Sequence, residues 1–314
     1  MTHKALLLLS MNVLLLTHEK ALSDVNLQEG SFTLKRHDNL VYSPTSTLKL
    51  ERTYSSRSNH QGILGLAWCS TLEWKFYAKA KLLEKCDNFE VLAASSIKMN
   101  GDRSLVLASK SETLVFDAST RLVAIEQNKN KFTVMRDLTG RATGLLNSKG
   151  ILWALIYGDP LQTMTRVSMN VGGEVRGSLS FSYEGTQLAK TKQESYVYDA
   201  AANLTQVKNN FQQKEIQTKI QYDELKDQVI AVFEGTCQTT YKYHTQDSRT
   251  KVRDLVHRVT MCPGQKRNVA STEVTTEFTY EKTSNNEIRL EKISENKHTL
   301  PTSLDRLSAL SPTE

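Results

Sequence analysis

With 314 residues the chain has room for one large domain or two modest ones. Its 39% hydrophobic and 24% charged residues are the composition of a protein that buries a core. Forty Lys and Arg against 34 Asp and Glu give a formal charge of +6. The charges are scattered along the chain, which argues against nucleic acid as a partner and for a weak preference for anionic surfaces such as cell-envelope polymers.

Residues 1–23 open with MTHK, continue with the apolar run ALLLLSMNVLLL and end in THEKALS. A short positive start, an apolar stretch too short to span a bilayer comfortably, and the small residues Ala21 and Ser23 make a signal peptide cut ahead of Asp24. The mature protein is therefore expected in the periplasm, at the cell surface or outside the cell. No later segment is apolar enough to cross a membrane.

Residues 24–112 are read as a first β module. SFTLKR, TLKLERTY and STLEWKFYA alternate with the period of strands that have one face inward, and His37-Asp38-Asn39 between them is read as a turn. The stretch RTYSSRSNHQGILGLAWCS is read as a strand, a turn and the start of a second strand. Gly62 and Gly65 allow tight backbone there. Trp68, Leu72, Trp74 and Phe76 share one face of the second strand, and Cys69, Thr71 and Glu73 the other.

Residues 113–281 keep the same period in short runs such as ETLVFD, KFTVMRD, SYVYDA and TKIQYD, separated by turn formers such as DLTGR, NSKG and DAAAN. Their strand ends repeat. An aromatic is followed by an acidic residue at Phe116-Asp117, Tyr183-Glu184, Tyr198-Asp199, Tyr222-Asp223 and Tyr280-Glu281. Arg136-Asp137, Tyr157-Gly158-Asp159 and Tyr243-His244 are degenerate members. The beat of roughly twenty residues is the length of one β-hairpin, and such units bury their apolar faces only by stacking. The tyrosine is expected to pack on the next hairpin and the aspartate to close the turn. A left-handed residue follows, a place that falls to Ala202 in YDAAANLTQV. Residues 282–314 turn polar and are expected to be poorly ordered.

The four cysteines are even in number, which in an exported chain points to two disulfides. Three connectivities exist; pairing Cys69 with Cys86 and Cys237 with Cys262 closes the shortest loops and is preferred. A zinc site is disfavoured because no CxxC or CxxH occurs.

YDAAANLTQVKN resembles the tyrosine–aspartate (YD) repeat of the Rhs family. The signature that opens that family's N-terminal module resembles Arg52, Thr53, Tyr54, Ser56, Gly62, Gly65 and Trp68 of this chain, and EGSFTLKRHDNLVYSPTSTLKLERTY resembles the paired strands before it. The likeness covers roughly residues 28–245. It implies the hairpin sheet that long members spiral into a hollow shell, often around a C-terminal toxin. About eight worn beats imply instead an open strip or cup: all-β, one continuous, curved, mainly antiparallel sheet over residues 31–281, with Trp68, Trp74 and Phe76 plugging its N-terminal end. Asp159-Pro160 lacks the glycine that follows in the family's self-cleavage signature, so cleavage does not carry over.

The screen for chemistry finds no HExxH, GxSxG, GxxxxGK[ST] or dinucleotide fingerprint. No catalytic residue, metal site or cofactor is expected. Cys69 is read as a disulfide partner rather than a nucleophile served by His60. Arg57 and His60, beside Arg52 and aromatic residues, are the one candidate patch for a carbohydrate or phosphate. The function expected is an exported, non-enzymatic scaffold that binds a protein or an envelope carbohydrate. The alternative is a shortened or split toxin-delivery shell that pairs with another chain, through its sheet edge for example. A hydrolase would require a deep pocket where His60, Arg57 and acidic groups converge.

Overall fold

The computed structural model describes residues 22–25, 30–43, 46–100, 103–109, 112–158, 162–210, 217–223, 228–235, 237–243, 255–262, 271–282 and 288–300. Among them every regular element is a strand except two single 3-10 turns, Thr71–Glu73 and Ala94–Ser96. From Ile97 to Leu300 eighteen strands follow one another, each paired antiparallel with the next, in an open ladder that does not close into a barrel. Alternation drives it. In Asn130–Arg136 the side chains of Phe132 and Val134 are buried while their neighbours face out, and in Leu152–Tyr157 Trp153 and Leu155 are buried.

All eight expected beats fall on the same backbone irregularity. The register slips by one residue immediately before Phe116, Arg136, Tyr157, Tyr183, Tyr198, Tyr222, Tyr243 and Tyr280. Their partners across the ladder are Leu122, Ala142, Met164, Leu188, Leu204, Val229, Leu255 and Leu290, and one extra residue bulges from the partner strand each time. A bulge sharpens local twist. Bulges repeated once per hairpin bend the whole ladder in one sense.

The six beats from Arg136 to Tyr243 also reach back to the one before. The hydroxyl of Tyr183 donates to the carbonyl of Met164 (2.7 Å), that of Tyr198 to Leu188 (2.8 Å), that of Tyr222 to Leu204 (3.1 Å) and that of Tyr243 to Val229 (2.7 Å). Tyr157 does the same to Ala142. At the Arg136 beat the guanidinium replaces the phenol and donates to Leu122 at 2.9 Å. Every acceptor is the residue opposite the previous beat. Phe116 carries no donor and packs on Phe76, with ring centroids 5.8 Å apart.

The acidic residue after the beat closes the turn as its chemistry suggests. Oδ1 of Asp137 accepts from the amides of Thr139 and Arg141, and Oδ1 of Asp199 from those of Ala201 and Asn203. The fourth residue of each turn is left-handed: φ is +86° at Gly140 and +69° at Ala202. Tyr183-Glu184 departs from this pattern, since Glu184 pairs with Gln187 across a tight hairpin turn.

Before the ladder come nine short strands: β1 (Leu22–Val25), β2 (Phe32–Ser43), β3 (Ser46–Ser55), β4 (Gln61–Gly62), β5 (Gly65–Leu66), β6 (Trp68–Ser70), β7 (Lys75–Tyr77), β8 (Leu82–Lys85) and β9 (Asn88–Val91). They form three small sheets, β1-β2-β3-β6, β4-β5 and β7-β8-β9. This corrects the expectation of one sheet from residue 31 onward. It also corrects the end plug, because the module touches the ladder along most of its length. Phe76 N–H bonds Thr120, Lys49 bonds Gln127, Ile63 bonds Met164, Leu66 bonds Thr186, and Gly30 bonds Val229. The thirteen strands from Glu112 to Tyr243, laid flat at about 4.8 Å spacing, would be about 58 Å wide. A module of roughly seventy residues has a radius of gyration of only about 11 Å. The ladder therefore wraps the module, and the buried residues of both make one cluster.

Three local expectations are also corrected. Residues 68–77 are not one strand: Ser70 and Glu73 form a reciprocal capping box around the 3-10 turn that separates β6 from β7. His37-Asp38-Asn39 is not a turn but the middle of β2, where Asp38 has an arginine to meet. Residues 288–300 of the expected loose tail form a strand paired with Ser271–Lys282. Strand β1 straddles the expected cut, with Leu22 and Ser23 on one side and Asp24 and Val25 on the other. Residues 1–21, Asp159-Pro160 and the last fourteen residues lie outside those described.

Two outcomes are expected of this ladder. Tyr222→Phe leaves the buried Leu204 carbonyl without its donor and lowers stability by about 1–3 kcal/mol; an unchanged urea midpoint would show that the reach-back bond contributes nothing. Ala202→Gly relieves a left-handed alanine and raises stability by about 0.5–1 kcal/mol, read in the same unfolding experiment.

Candidate functional site

The signature residues meet where the module faces the ladder. Leu48, Leu50, Arg52 and Tyr54 alternate along β3 as one buried stripe, so Arg52 enters the core by position although it is a cation. It is 2% exposed. Its Nε reaches both oxygens of Asp38 on β2 (3.1 and 3.0 Å), and its NH1 donates to the hydroxyl of Tyr196 at 2.6 Å. Its NH2 lies 3.4 Å from Glu194, which also accepts from Arg36 at 2.8 Å and from Tyr196 at 2.6 Å. The guanidinium carbon sits 5.2 Å from the Trp68 ring centre and 5.6 Å from that of Tyr196. Burial opposes the charge on Arg52, but Asp38, Tyr196 and Glu194 more than offset it and hold the group protonated. Burial likewise works against ionised Glu194, yet Arg36 and Arg52 hold its carboxyl below the usual range. Two cations and two carboxylates are thus matched inside the interface, as buried charges require.

The other signature residues serve the same junction. The Tyr54 hydroxyl accepts from Leu204 N–H at 2.8 Å, and Trp68 Nε1 donates to Tyr198 at 2.9 Å. Met164, Leu204 and Val229, whose carbonyls take the tyrosines, thus give their amides to Ile63, Tyr54 and Gly30 of the module. Thr53 pairs with Cys69 across β3 and β6. Ser56 Oγ accepts from Phe32 N–H at 3.0 Å and ties the end of β3 back to β2. Gly65 is left-handed (φ +89°), and a Cβ there would stand 2.3 Å from the Thr186 carbonyl. At Gly62 a Cβ would fall 2.0 Å from Glu73 Oε1, so glycine makes room for that carboxylate.

Glu73 organises this corner of the module, a role that its place in an alternating run conceals. Its carboxylate accepts from His60 Nε2 (3.1 Å), Ile63 N–H (3.0 Å) and Ser70 N–H (3.1 Å). The hydrogen bond to Glu73 raises the His60 pKa, against partial burial. His60 lines a cleft whose walls do not include Arg57, while burial raises the Tyr243 pKa and the nearby Arg57 cation counters it only in small part. Cys86 Sγ lies within 4.8 Å of His60 and Glu73 ligand atoms, but it is bonded to Cys69 and is no thiolate. Cys237 is also disulfide-bonded. The register Gln238↔Met261 sets residue 262 opposite it, while the Cys262 side chain lies outside those described.

Asp38, Glu194 and Tyr196 were missed for physical reasons. Asp38 looked like a turn residue because of its neighbours. Glu194 and Tyr196 lie about 140 residues from Arg52, and only the fold brings them together. The one local signal was the break in apolar alternation at Arg52.

Acid should loosen this junction. Glu194 binds its proton more weakly in the folded state than in the unfolded one, so its stabilisation is complete above the unfolded value of 4.5 and is lost as pH falls below it. Urea midpoints at pH 7, 5 and 3.5 should fall more steeply for the wild type than for Glu194→Gln, which should already be weaker at pH 7. Parallel curves would refute the assignment.

A family model described as Domain of unknown function (DUF6531) matches residues 23–88, the segment that contains β2 to β8 and the whole signature. No curated protein matches the chain. Among solved structures, a crystal structure of TcdB2-TccC3-Cdc42 aligns with 86% of this chain at 13% identity and a TM-score of 0.39. A second, of TcdB2-TccC3 without its hypervariable C-terminal region, aligns at 14% identity and the same TM-score. The chain spans 14% of the length of each of those chains.

Proposed function

We propose that this protein is an exported, non-enzymatic β-repeat scaffold, related to the Rhs family, that acts by holding a partner at the bacterial cell envelope or surface. The observation that carries the reading is where the reactive side chains go. Arg52, Asp38, Glu194, His60, Glu73 and the Cys69–Cys86 pair are all engaged in fastening the module and joining it to the ladder. Disulfides form and persist in oxidising compartments outside the cytosol, which agrees with the leader-like residues 1–23. Among the described residues no helix is long and apolar enough to cross a membrane.

A second reading is favoured by the open ladder. Among the described residues its terminal strands, Ile97–Asn100 and Ile288–Leu300, each pair with one strand of the sheet, and a sheet edge is a template for another chain. In that reading the protein is part of a split or shortened toxin-delivery shell.

Affinity purification of a C-terminally tagged chain from its own cells, after cross-linking, tests both. The scaffold reading expects the protein in envelope or external fractions, starting at Asp24, together with an envelope polymer or surface protein. Recovery with a chain carrying further repeats or a toxin would favour the shell. Cytoplasmic protein with an intact N-terminus and no partner would overturn both.

A further inference from the structure

A cleft of about 760 Å³ opens between the module and the first turns of the ladder. On the module side it is walled by His60, Leu72, Glu73, Trp74, Lys75 and Glu84, and on the ladder side by Arg121, Arg136, Arg141 and Gln162. Its charges are unevenly matched. Glu84 is taken by Lys75 (2.9 Å) and the Tyr77 hydroxyl (2.6 Å), and Glu73 by His60 and two backbone amides. Arg141 pairs with Asp137 at 3.1 Å and lies 4.4 Å from the Tyr157 ring centre.

Arg121 and Arg136 remain. Arg136 donates only to the neutral carbonyls of Gly140, Leu72 and Leu122, and its buried Nε has no partner among the described residues. Arg121 is exposed, and its guanidinium rests on Gly140, where a Cβ would stand 2.5 Å from NH1. Both guanidinia therefore converge on residue 140. The Arg136 pKa is lowered, by burial first and by Arg121 next, and Asp117 and Asp137 counter this only in part.

We infer that the cleft is a binding site for an oxyanion, a carboxylate or phosphate group of the ligand, which seats between Arg121 and Arg136. The exposed Arg121 guanidinium presents a fork that suits the planar carboxylate and the phosphate alike, and Arg136, whose NH2 is spent on two carbonyls, adds its charge. Trp74 and Leu72 give the rest of the ligand an apolar wall. The inference rests on the reading of the protein as a binding scaffold and names the chemistry it would bind.

The test uses the full, disulfide-intact chain and calorimetric titration at low salt with trigalacturonate, inorganic phosphate and the neutral trisaccharide maltotriose. At least one acidic probe should bind and maltotriose should not; binding by phosphate alone assigns the phosphate group, and by trigalacturonate alone the uronate. Arg121→Gln, at an exposed position, should weaken the acidic probe about tenfold or more. Arg176→Gln, at an exposed arginine outside the cleft, should leave it within about twofold. Equal losses in the two variants, equal binding of maltotriose, or no acidic binding at about 10 mM would overturn the inference. A failed titration beside a successful purification of an envelope partner would sink this site and leave the scaffold reading standing.

Discussion

The ladder depends on one hydrogen bond made repeatedly: the side chain that ends one hairpin donates to the carbonyl opposite the end of the previous hairpin. A bulge disturbs the regular exchange of backbone partners, and a buried polar group left unpaired is expensive. Here the disturbed residues are served twice. Met164, Leu204 and Val229 give their carbonyls to Tyr183, Tyr222 and Tyr243 and their amides to the module. Burial raises the pKa of Tyr183 and Tyr243, so these phenols remain donors throughout the physiological range.

From that bond follow both the curvature and the need for a module. A sheet bent in one sense has an inner face that nothing in the ladder itself can cover. The module covers it with Leu34, Leu48, Tyr54, Trp68 and Phe76, all at or near zero exposure. It brings charge as well as apolar area. Arg52 is a poor choice for stability in general, since buried ion pairs often do no better than apolar residues of equal volume. Its fork, however, meets Asp38 on its own side and Glu194 and Tyr196 across the junction, and that fixes the position of the module on the ladder.

Much of this was legible because local rules and the fold agree. Period-two alternation announces the strands, and all eight beats fall on bulges. At Ala202 the acid-closed turn overrides a residue ill suited to a left-handed conformation. What was hidden is non-local. Nothing in the sequence says that the residues from Phe32 to Trp74 lie inside the ladder rather than at its end. Asp38 and Glu73 took their roles from partners far away or from a cap: the Ser70-x-x-Glu73 spacing was present in the sequence, but the strong alternation around it concealed the interruption. The cleft arginines were hidden for the same reason, since Arg121 and Arg136 converge only because their strands are neighbours.

The reach-back bonds all point the same way along the chain. Tyr243 looks to Val229, Tyr222 to Leu204, Tyr198 to Leu188, Tyr183 to Met164, and the module that every one of these hairpins encloses precedes them all. A chain emerging from a ribosome or a translocon therefore presents each acceptor before the donor that needs it. The module arrives first as a mandrel, and each new hairpin winds onto a surface already in place. The same polarity makes the whole hairpin the unit of change: one can be added or lost at the trailing end without unmaking any earlier bond, while an interior loss survives only if the next tyrosine finds an equivalent carbonyl one hairpin back.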